Sequence, residues 1–208
     1  MPKENQKKQN VVAPPPNSGA MHSREKILNA AARLFMRKGF KGTSLNDIAR
    51  EARLNKVTIY YHFKNKMTLI YEIAVSNIHG IMALDEHILD ADISADEKLN
   101  ALIYNHIKWV ISHPGRLGFN PLLKINLTPK LYTEYVKARE AYLSLFLRVI
   151  EQGQANGEFQ KAASCYDPLF IVQYLNALVQ RLDSRRQSES IENIVISAHK
   201  LISNIFKV

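Results

Sequence analysis

The sequence predicts an all-α protein of about nine helices. In several stretches after Ser23, apolar residues recur at steps of three and four, the period of a helix with one buried face. No stretch alternates apolar and polar residues convincingly enough for a strand. Only eight Gly and eight Pro occur in 208 residues, so long helices are compatible with the composition.

The composition excludes several classes of protein. With 46% hydrophobic and 23% charged residues, the chain can bury a globular core. Its single cysteine, Cys165, excludes a disulfide framework and a Cys-rich zinc site, and it suits a reducing compartment. Polar residues interrupt the apolar stretches before about 18 positions, and the apolar run at 11–13 is too short for a signal peptide. We therefore expect a cytoplasmic protein that does not span a membrane.

Positive charge is concentrated in the first third of the chain. The formal net charge is +9. Residues 1–66 hold 14 Lys and Arg against four acidic residues, whereas residues 67–208 hold 14 against 15. A small basic module joined to a larger neutral one is expected where one end binds a polyanion. A solvated basic face without a partner is the alternative interpretation.

The first 21 residues differ from the rest. They are polar, include three consecutive prolines at 14–16, and show no amphipathic period, so we predict a disordered basic arm. Met21 directly precedes the first periodic stretch, which leaves an alternative translation start open.

Capping residues and breakers divide the next part of the chain into four helices. The first begins after Ser23 and ends at Gly39. Two short helices follow, over 44–52 and 55–63, before a long one that extends to about Asp90. The predicted caps of these last three helices are Thr43 or Ser44, Asn55 and Asn65.

Helical patterns continue to the C-terminus. Later helices are predicted over 95–112, 131–151, 168–183 and 189–206. Asp167-Pro168 marks one start, because a capping carboxylate precedes a proline at the first helical position.

The two short helices are the most informative feature. Helices shorter than about 12 residues are marginal alone, so these two must pack against a longer neighbour. Joined by a tight turn at Arg53-Leu54 and preceded by a longer helix, they predict a helix-turn-helix over about 44–63. The second helix of such a motif enters the major groove of DNA.

That second helix, over 55–63, carries a row of donors and rings. Lys56 and Tyr60 share one face because they are four residues apart. Ammonium and hydroxyl groups can bind phosphates or base edges, and rings can pack on sugars and thymine methyl groups. Ile59 and Phe63 are expected to face inward. The four rings at 60–63 cannot all face one core, so at least two are expected to be exposed.

A run of residues with fixed spacing extends from 24 to 72. It includes Arg24-Glu25-Lys26-Ile27-Leu28, Thr43-Ser44, Asp47-Ile48-Ala49 and Tyr60-Tyr61-His62-Phe63-Lys64-Asn65-Lys66. This run resembles the DNA-binding domain of the TetR family of bacterial transcriptional regulators. The resemblance implies a dimeric, ligand-responsive repressor whose two recognition helices bind a palindromic operator. The DNA contacts that it implies are Ser44, Asn46, Lys56, Thr58, Tyr60, Tyr61, His62 and Lys66.

With this resemblance the chain divides into an arm at 1–21, a DNA-binding domain at 22–66, and a ligand-binding and dimerisation domain at 67–208. Two residues depart from the family's pattern. Arg53 occupies a turn position usually held by Gly, where a left-handed backbone costs about 1 kcal/mol for a bulky residue. Val57 stands where many members have a small residue, a change that could alter base preference.

The C-terminal two-thirds is rich in aromatic residues that could enclose an apolar effector, with plain core packing as the competing explanation. From His113-Pro114 to Asp167 it resembles a branch of the family that regulates lipid breakdown and includes sensors of acyl-coenzyme A thioesters. That resemblance implies that Arg139 pairs with a phosphate or carboxylate. The candidate effector-binding residues are Trp109, Phe119, Tyr135, Arg139, Tyr142, Phe146 and Tyr174.

The last two helices carry apolar stripes, which in the final helix follow positions 191, 194, 195, 198, 201, 202 and 205. Such a stripe belongs either to the core or to a symmetric dimer interface. The family resemblance favours a four-helix dimer interface made by these two helices of each subunit.

No catalytic or metal-binding motif accompanies these features. His79 and His87 lack the spacing of a metalloprotease helix, and no phosphate loop or nucleophile elbow occurs. We expect no enzyme activity, no metal and no cofactor. The competing hypothesis is a helical module whose basic third binds acidic membrane or protein surfaces. The short capped helix at 55–63 disfavours it, because a membrane-bound helix needs a longer apolar face.

Overall fold

The structure, a computed structural model, describes residues 18–113, 120–160, 168–185 and 190–206, and all regular secondary structure in these ranges is helical. The elements are α1 (Ser18–Lys38), α2 (Leu45–Ala52), α3 (Lys56–His62), α4 (Lys66–Asp85), α5 (Ala95–Ser112), α6 (Asn120–Asn126), α7 (Pro129–Ala155), α8 (Pro168–Arg185) and α9 (Ile191–Phe206). The prediction of an all-α protein with about nine helices is confirmed.

Several helix boundaries, and one additional helix, differ from the prediction. Helix α1 begins at Ser18, inside the predicted arm, although Gly19 is a poor helix former. Helix α4 ends at Asp85, after which turns lead to α5. Helix α7 starts two residues early, capped by Thr128 with Pro129 at its first position. The seven-residue α6 was not predicted.

The N-terminal unit is built on α1, which packs against α2, α3 and α4. Its predicted apolar stripe is buried, and Ile48 and Ile59 complete the core from the two short helices. Gly39 ends α1 with φ +75°, a left-handed conformation that glycine adopts without strain. The helix-turn-helix therefore sits on a rigid apolar base.

The C-terminal domain is organised around α5, which contacts α4, α7, α8 and α9. The apolar stripe of α9 mostly faces this core, since Ile194, Val195, Ala198 and Ile202 are buried. Leu201 is the exception, with 51% of its surface exposed. The core interpretation of that stripe is therefore correct for most positions, and a different face of α9 remains open.

By length and composition, α4 is long and apolar enough to cross a membrane, contrary to the prediction that no segment could. In this structure it is instead the connecting helix, packed against α1, α5 and α7. Its apolarity reflects this central position, since six apolar residues along it are buried, from Leu69 to Ile81.

Candidate nucleic-acid interface and the polar core of the C-terminal domain

A reciprocal cap fixes the start of α2. The Ser44 hydroxyl oxygen accepts from the Asp47 N–H at 3.0 Å, and the Asp47 carboxylate accepts from the Ser44 N–H at 3.0 Å. Hydrogen bonds from Ser44, assisted by the Arg50 guanidinium, hold the pKa of Asp47 well below its usual range. Asp47 is therefore ionised, and the exposed Ser44 has a local structural role beside its predicted DNA contact.

The turn between α2 and α3 is left-handed at Arg53, with φ 55° and ψ 42°. Its N–H donates back to the carbonyls of Ala49 and Arg50, which closes the end of α2. The arginine side chain is exposed. Arg53 is therefore a bulky residue with a left-handed backbone, the case in which the sequence predicts a cost of about 1 kcal/mol.

Helix α3 is anchored from below and capped at its start. Asn55 accepts from the Thr58 N–H at 2.7 Å and from its hydroxyl at 2.8 Å. Ile59 and Phe63 are buried at 0% and 1% exposure, as predicted. A seven-residue helix is thereby held in one orientation by its cap and two apolar anchors.

The outer face of α3 is exposed. Tyr61 is 80% exposed, Val57 77% and Tyr60 48%, although all three are large apolar or aromatic residues. The Lys56 ammonium lies 5.5 Å from the centroid of the Tyr60 ring, which confirms that these two share a face. Rings without a core to fill are available to contact another molecule.

At the start of α4, Lys66 is partly engaged within the protein. Its ammonium donates to the Phe40 carbonyl at 2.8 Å and lies 4.8 Å from the Phe40 ring centroid. An ammonium has three donors, so two remain for a phosphate. Lys66 opens onto a cleft of about 510 Å³ lined by Lys41, Gly42, Thr43, Ser44, Leu45, Asn46, Asp47, Tyr60, Lys64, Asn65 and Lys66.

The structure thus brings four of the eight predicted DNA contacts, Ser44, Asn46, Tyr60 and Lys66, to one cleft. Lys56 and Tyr61 extend this surface along α3, while Thr58 and His62 are half-buried at its flank. Sequence reasoning missed Lys41 and Lys64, which also line the cleft. Their positive charge, and their position in the sequence next to predicted DNA contacts, could have identified them.

The N-terminal unit is tied to α4 by Arg24. Its guanidinium is 2.5 Å from the Glu72 carboxylate and 5.6 Å from the Phe63 ring centroid. These contacts connect the end of α3 to α1 and to the first turns of α4.

A second polar arrangement is buried in the C-terminal domain. His106 contacts the Tyr142 hydroxyl through Nδ1 at 2.8 Å and the Asn176 side-chain oxygen through Nε2 at 3.1 Å. Burial lowers the pKa of His106 to about 4, so the ring is neutral. With Nε2–H donating to Asn176, the Tyr142 hydroxyl donates to Nδ1, and three helices are joined.

Asp85, at the last turn of α4, is fully buried next to this network. Asn105 donates to its Oδ1 at 2.9 Å, while Oδ2 has no hydrogen-bond partner among the described residues. Burial raises the pKa of Asp85 to about 7, although the hydrogen bond from Asn105 opposes the shift. A carboxyl group in this environment is protonated up to neutral pH.

The candidate effector residues fall into two groups. Tyr135, Tyr142 and Phe146 are buried core residues. Trp109 and Tyr174 are half-buried, and Phe119 lies outside the described residues. Burial raises the pKa of the Tyr135 phenol, which hydrogen-bonds Arg139. Nε of Arg139 is buried without a partner among the described side chains.

Trp109 is fixed on three sides. It donates to Asn77 at 2.7 Å and stacks on His113 with 4.0 Å between ring centroids. A Cβ at Gly80 would come within 2.0 Å of its ring, so α4 and α5 approach closely there because residue 80 is glycine. The described residues contain no group of three side chains that could hold a metal ion.

Comparisons with known proteins agree with this arrangement. Residues 27–73 match the family model of bacterial regulatory proteins of the tetR family, and residues 92–180 match the tetracyclin repressor-like C-terminal domain. The chain is 24% identical over 153 residues to the HTH-type transcriptional repressor KstR2 of Rhodococcus jostii, which covers 72% of this chain and 75% of that relative.

Solved structures show the same fold. A tetR-family regulatory protein from Rhodococcus RHA1 superposes with a TM-score of 0.73 at 20% identity, covering 89% of this chain and 97% of the other. The structure of AibR in complex with isovaleryl coenzyme A and operator DNA superposes with a TM-score of 0.67 at 19% identity, covering 86% and 97%. The two family models together span more than half of this sequence, from the helix-turn-helix to α8. The chain belongs to the TetR family of bacterial transcriptional regulators.

Proposed function

We propose that this protein is a dimeric repressor that binds a palindromic operator through α3 and is released by a small apolar or acyl-type effector. The observation that carries the DNA-binding part is the exposed row on α3, held outward by the buried Ile59 and Phe63. A cytoplasmic location follows from this role.

The two kinds of side chain at the interface have different tasks. Lysines around the cleft, Lys41, Lys64 and Lys66, are placed to neutralise phosphates, which gives affinity without sequence preference. Tyr60 and Tyr61 on the exposed face of α3 are placed to contact base edges and thymine methyl groups. We expect sequence specificity to come mainly from α3.

The outward faces of α8 and α9 support the proposed dimer. Phe170 is 67% exposed, Ile196 62% and Leu201 51%. Association with a second copy would bury these exposed apolar side chains again. Dimerisation would present two α3 helices to successive major grooves, about 34 Å apart.

Support for an acyl-type effector comes from Arg139 and from AibR. The unpartnered Nε of Arg139 is a buried donor that suits an anionic ligand group. AibR, with the same fold, has been solved with isovaleryl coenzyme A. In the proposed mechanism the effector displaces α4, which connects both domains, and coupling of about 1–3 kcal/mol would weaken DNA binding about 5–150-fold.

A gel-shift titration with DNA from upstream of the protein's own gene tests the interface. Tyr60→Ala and Lys66→Ala should weaken binding, by about 1–3 kcal/mol where the contact reads a base and less for a phosphate contact. The matched control is Lys130→Ala, an exposed lysine at the start of α7. Unchanged binding in both interface variants, with circular dichroism showing the fold intact, would refute the assignment.

Salt dependence gives a second measure of the same interface. If each subunit neutralises three to five phosphates, log affinity should fall against log salt with a slope of about −5 to −9. A slope near zero would be incompatible with the proposed contacts. Lys66→Ala should make the slope less steep by about one for each phosphate that is no longer neutralised, or about two per dimer.

A further inference from the structure

Two buried side-chain atoms in the described part of the chain lack a hydrogen-bond partner, Oδ2 of Asp85 and Nε of Arg139. The two atoms have different neighbours. The Arg139 side chain hydrogen-bonds Tyr135, one turn earlier on α7, whereas Asp85 lies next to Tyr142. The charge of Asp85 contributes to the raised pKa of the Tyr142 phenol, which places the end of α4 near Tyr142 of α7.

The groups around Asp85 leave its second oxygen with nothing to bind. From α5, the Asn105 amide donates to Oδ1 at 2.9 Å and to the Leu84 carbonyl at 3.3 Å. His106, also on α5, uses one ring nitrogen on Tyr142 of α7 and the other on Asn176 of α8. No described cation forms an ion pair with Asp85, and its neighbour Glu86 points to solvent.

The protonation state decides what Oδ2 can do. Burial raises the pKa of this carboxyl to about 7, and no charged neighbour contributes to the shift. Up to neutral pH the group is a neutral acid, whose O–H is a buried donor without an acceptor. An unmade hydrogen bond of this kind costs about 1–3 kcal/mol, which a ligand with an oxygen acceptor would recover.

We infer that Asp85, held by Asn105, is a specificity-determining residue that donates a hydrogen bond to a neutral oxygen of the effector, a carbonyl or a hydroxyl. This inference rests on the proposed effector site of the C-terminal domain and assigns the ligand group that this site reads. Because Asp85 lies at the end of α4, the contact also connects the ligand to the helix that leads to the DNA-binding domain.

Proton linkage follows from this assignment. If the protonated acid is the binding form, the ligand raises the pKa of Asp85 further, and binding takes up a proton near neutral pH. Affinity should be constant well below pH 7 and should fall about tenfold per pH unit above it. An ionised Asp85 that binds an amine would give the opposite dependence.

A matched set of ten-carbon probes tests the inference on the full-length protein: 1-decanol, 2-decanone, decylamine and decane. Their affinities are measured by displacement of a fluorescent naphthalene sulfonate at about pH 6 and about pH 8. The alcohol and the ketone should bind more tightly than decane at pH 6, and the ketone, which can only accept, should lose about tenfold at pH 8. The alcohol should lose less, because its hydroxyl can donate to the ionised carboxylate. Calorimetry in buffers of different ionisation enthalpy should record proton uptake.

Three variants separate recognition from packing. Asp85→Asn keeps the shape, the bond from Asn105 and one donor, so it should retain binding of the ketone but lose the pH dependence. Asp85→Ala removes the donor, so the ketone should bind no better than decane. The matched control is Asp90→Asn, an exposed acid five residues further on, which should behave as wild type.

A readout without ligand is available if Asp85→Ala fails to fold. The infrared carbonyl band of a protonated carboxylic acid should be present near pH 6 in the wild type, decrease on titration to about pH 8 and be missing in Asp85→Asn. A titration of this band centred near pH 4 would overturn the inference.

The outcomes also separate this inference from the proposed function. Equal affinity for all four probes at both pH values, or tighter binding of decylamine, overturns the role of Asp85 and leaves the repressor intact. If no probe binds while the gel shift succeeds, the apolar effector is wrong and the inference falls with it. If the probes bind as expected but the protein binds no DNA, the proposed repressor function is refuted and the role of Asp85 is retained.

Discussion

Among the first 66 residues, the one buried polar side chain that the structure describes is Thr43, whereas the C-terminal domain buries Asp85, Lys98, His106 and Ser203. The Thr43 hydroxyl lies 2.8 Å from the Gly39 carbonyl, so the N-terminal unit keeps an almost wholly apolar interior and directs its polar groups outward. A DNA-binding surface needs this arrangement, because its polar side chains must remain free for the nucleic acid.

The buried polar groups of the C-terminal domain are of two kinds. Lys98 donates to the Leu89 carbonyl at 2.8 Å and to Gln152 at 3.1 Å, and Ser203 donates to Asp96 at 2.7 Å. These bonds join helices and loops and need no ligand to explain them. Asp85 differs, because one of its oxygens is unpartnered. The comparison separates polar groups that hold the bundle together from one that is available for recognition.

The largest effect should come from removing the anchor of the recognition helix. Phe63→Ala empties a site that is 1% exposed and should destabilise the DNA-binding unit by about 3–5 kcal/mol, with loss of DNA binding. Denaturant unfolding and the gel shift measure both effects. The matched control, Tyr61→Ala, lies two residues earlier and is 80% exposed, so its stability should change by less than about 0.5 kcal/mol.

An intermediate effect should appear in the pH dependence of stability, which tests the polar core. The pKa of Asp85 in the folded protein is raised to about 7. Its stabilising contribution to folding is therefore complete below about pH 4 and is lost as pH rises to 7. The pKa of His106 in the folded protein is lowered to about 4. Its stabilising contribution to folding is therefore complete above about pH 6.5 and is lost on acidification. Between about pH 4 and 6.5 the two dependences oppose each other.

Asp85→Asn should therefore expose the dependence due to His106. Relative to wild type, the stability of this variant should increase by up to about 1.4 kcal/mol per pH unit between about pH 4 and 7. Chemical denaturation at several pH values measures the difference, and Asp90→Asn is again the control. A stability difference that does not change with pH would mean that Asp85 titrates normally in the folded protein.

The same comparison shows what sequence can predict. The caps Ser44, Asn55 and Asn65 were predicted correctly because each bonds an N–H three residues ahead. The inward anchors of α3 followed from helical period. These are local relations, and they position most of the proposed DNA-binding surface.

Relations between distant residues could not be predicted in this way. The bond from Lys66 to the Phe40 carbonyl joins positions 26 apart. Asp85 belonged to the predicted fourth helix, but its burial depends on how α4, α5 and α7 pack, and no pattern along one helix specifies that. Helix α6 was missed for a related reason, since seven residues are too short for a reliable period.

The smallest effect concerns the turn of the helix-turn-helix, where backbone strain can be measured by itself. Arg53 has a left-handed backbone and an exposed side chain, so Arg53→Gly should remove backbone strain without removing a buried contact. Glycine also loses more backbone entropy on folding, so the net stabilisation should be about 1 kcal/mol or less. Gly39→Ala makes the reverse change, a side chain added at a left-handed position. At φ +75° the added Cβ meets nothing within 4 Å, so the expected loss of about 1 kcal/mol of stability would come from the backbone alone. Thermal unfolding of both variants at one pH measures the pair, with shifts of about 2–4 °C per kcal/mol. Destabilisation by Arg53→Gly would show that the arginine contributes more through its side chain or the unfolded state than its left-handed backbone costs.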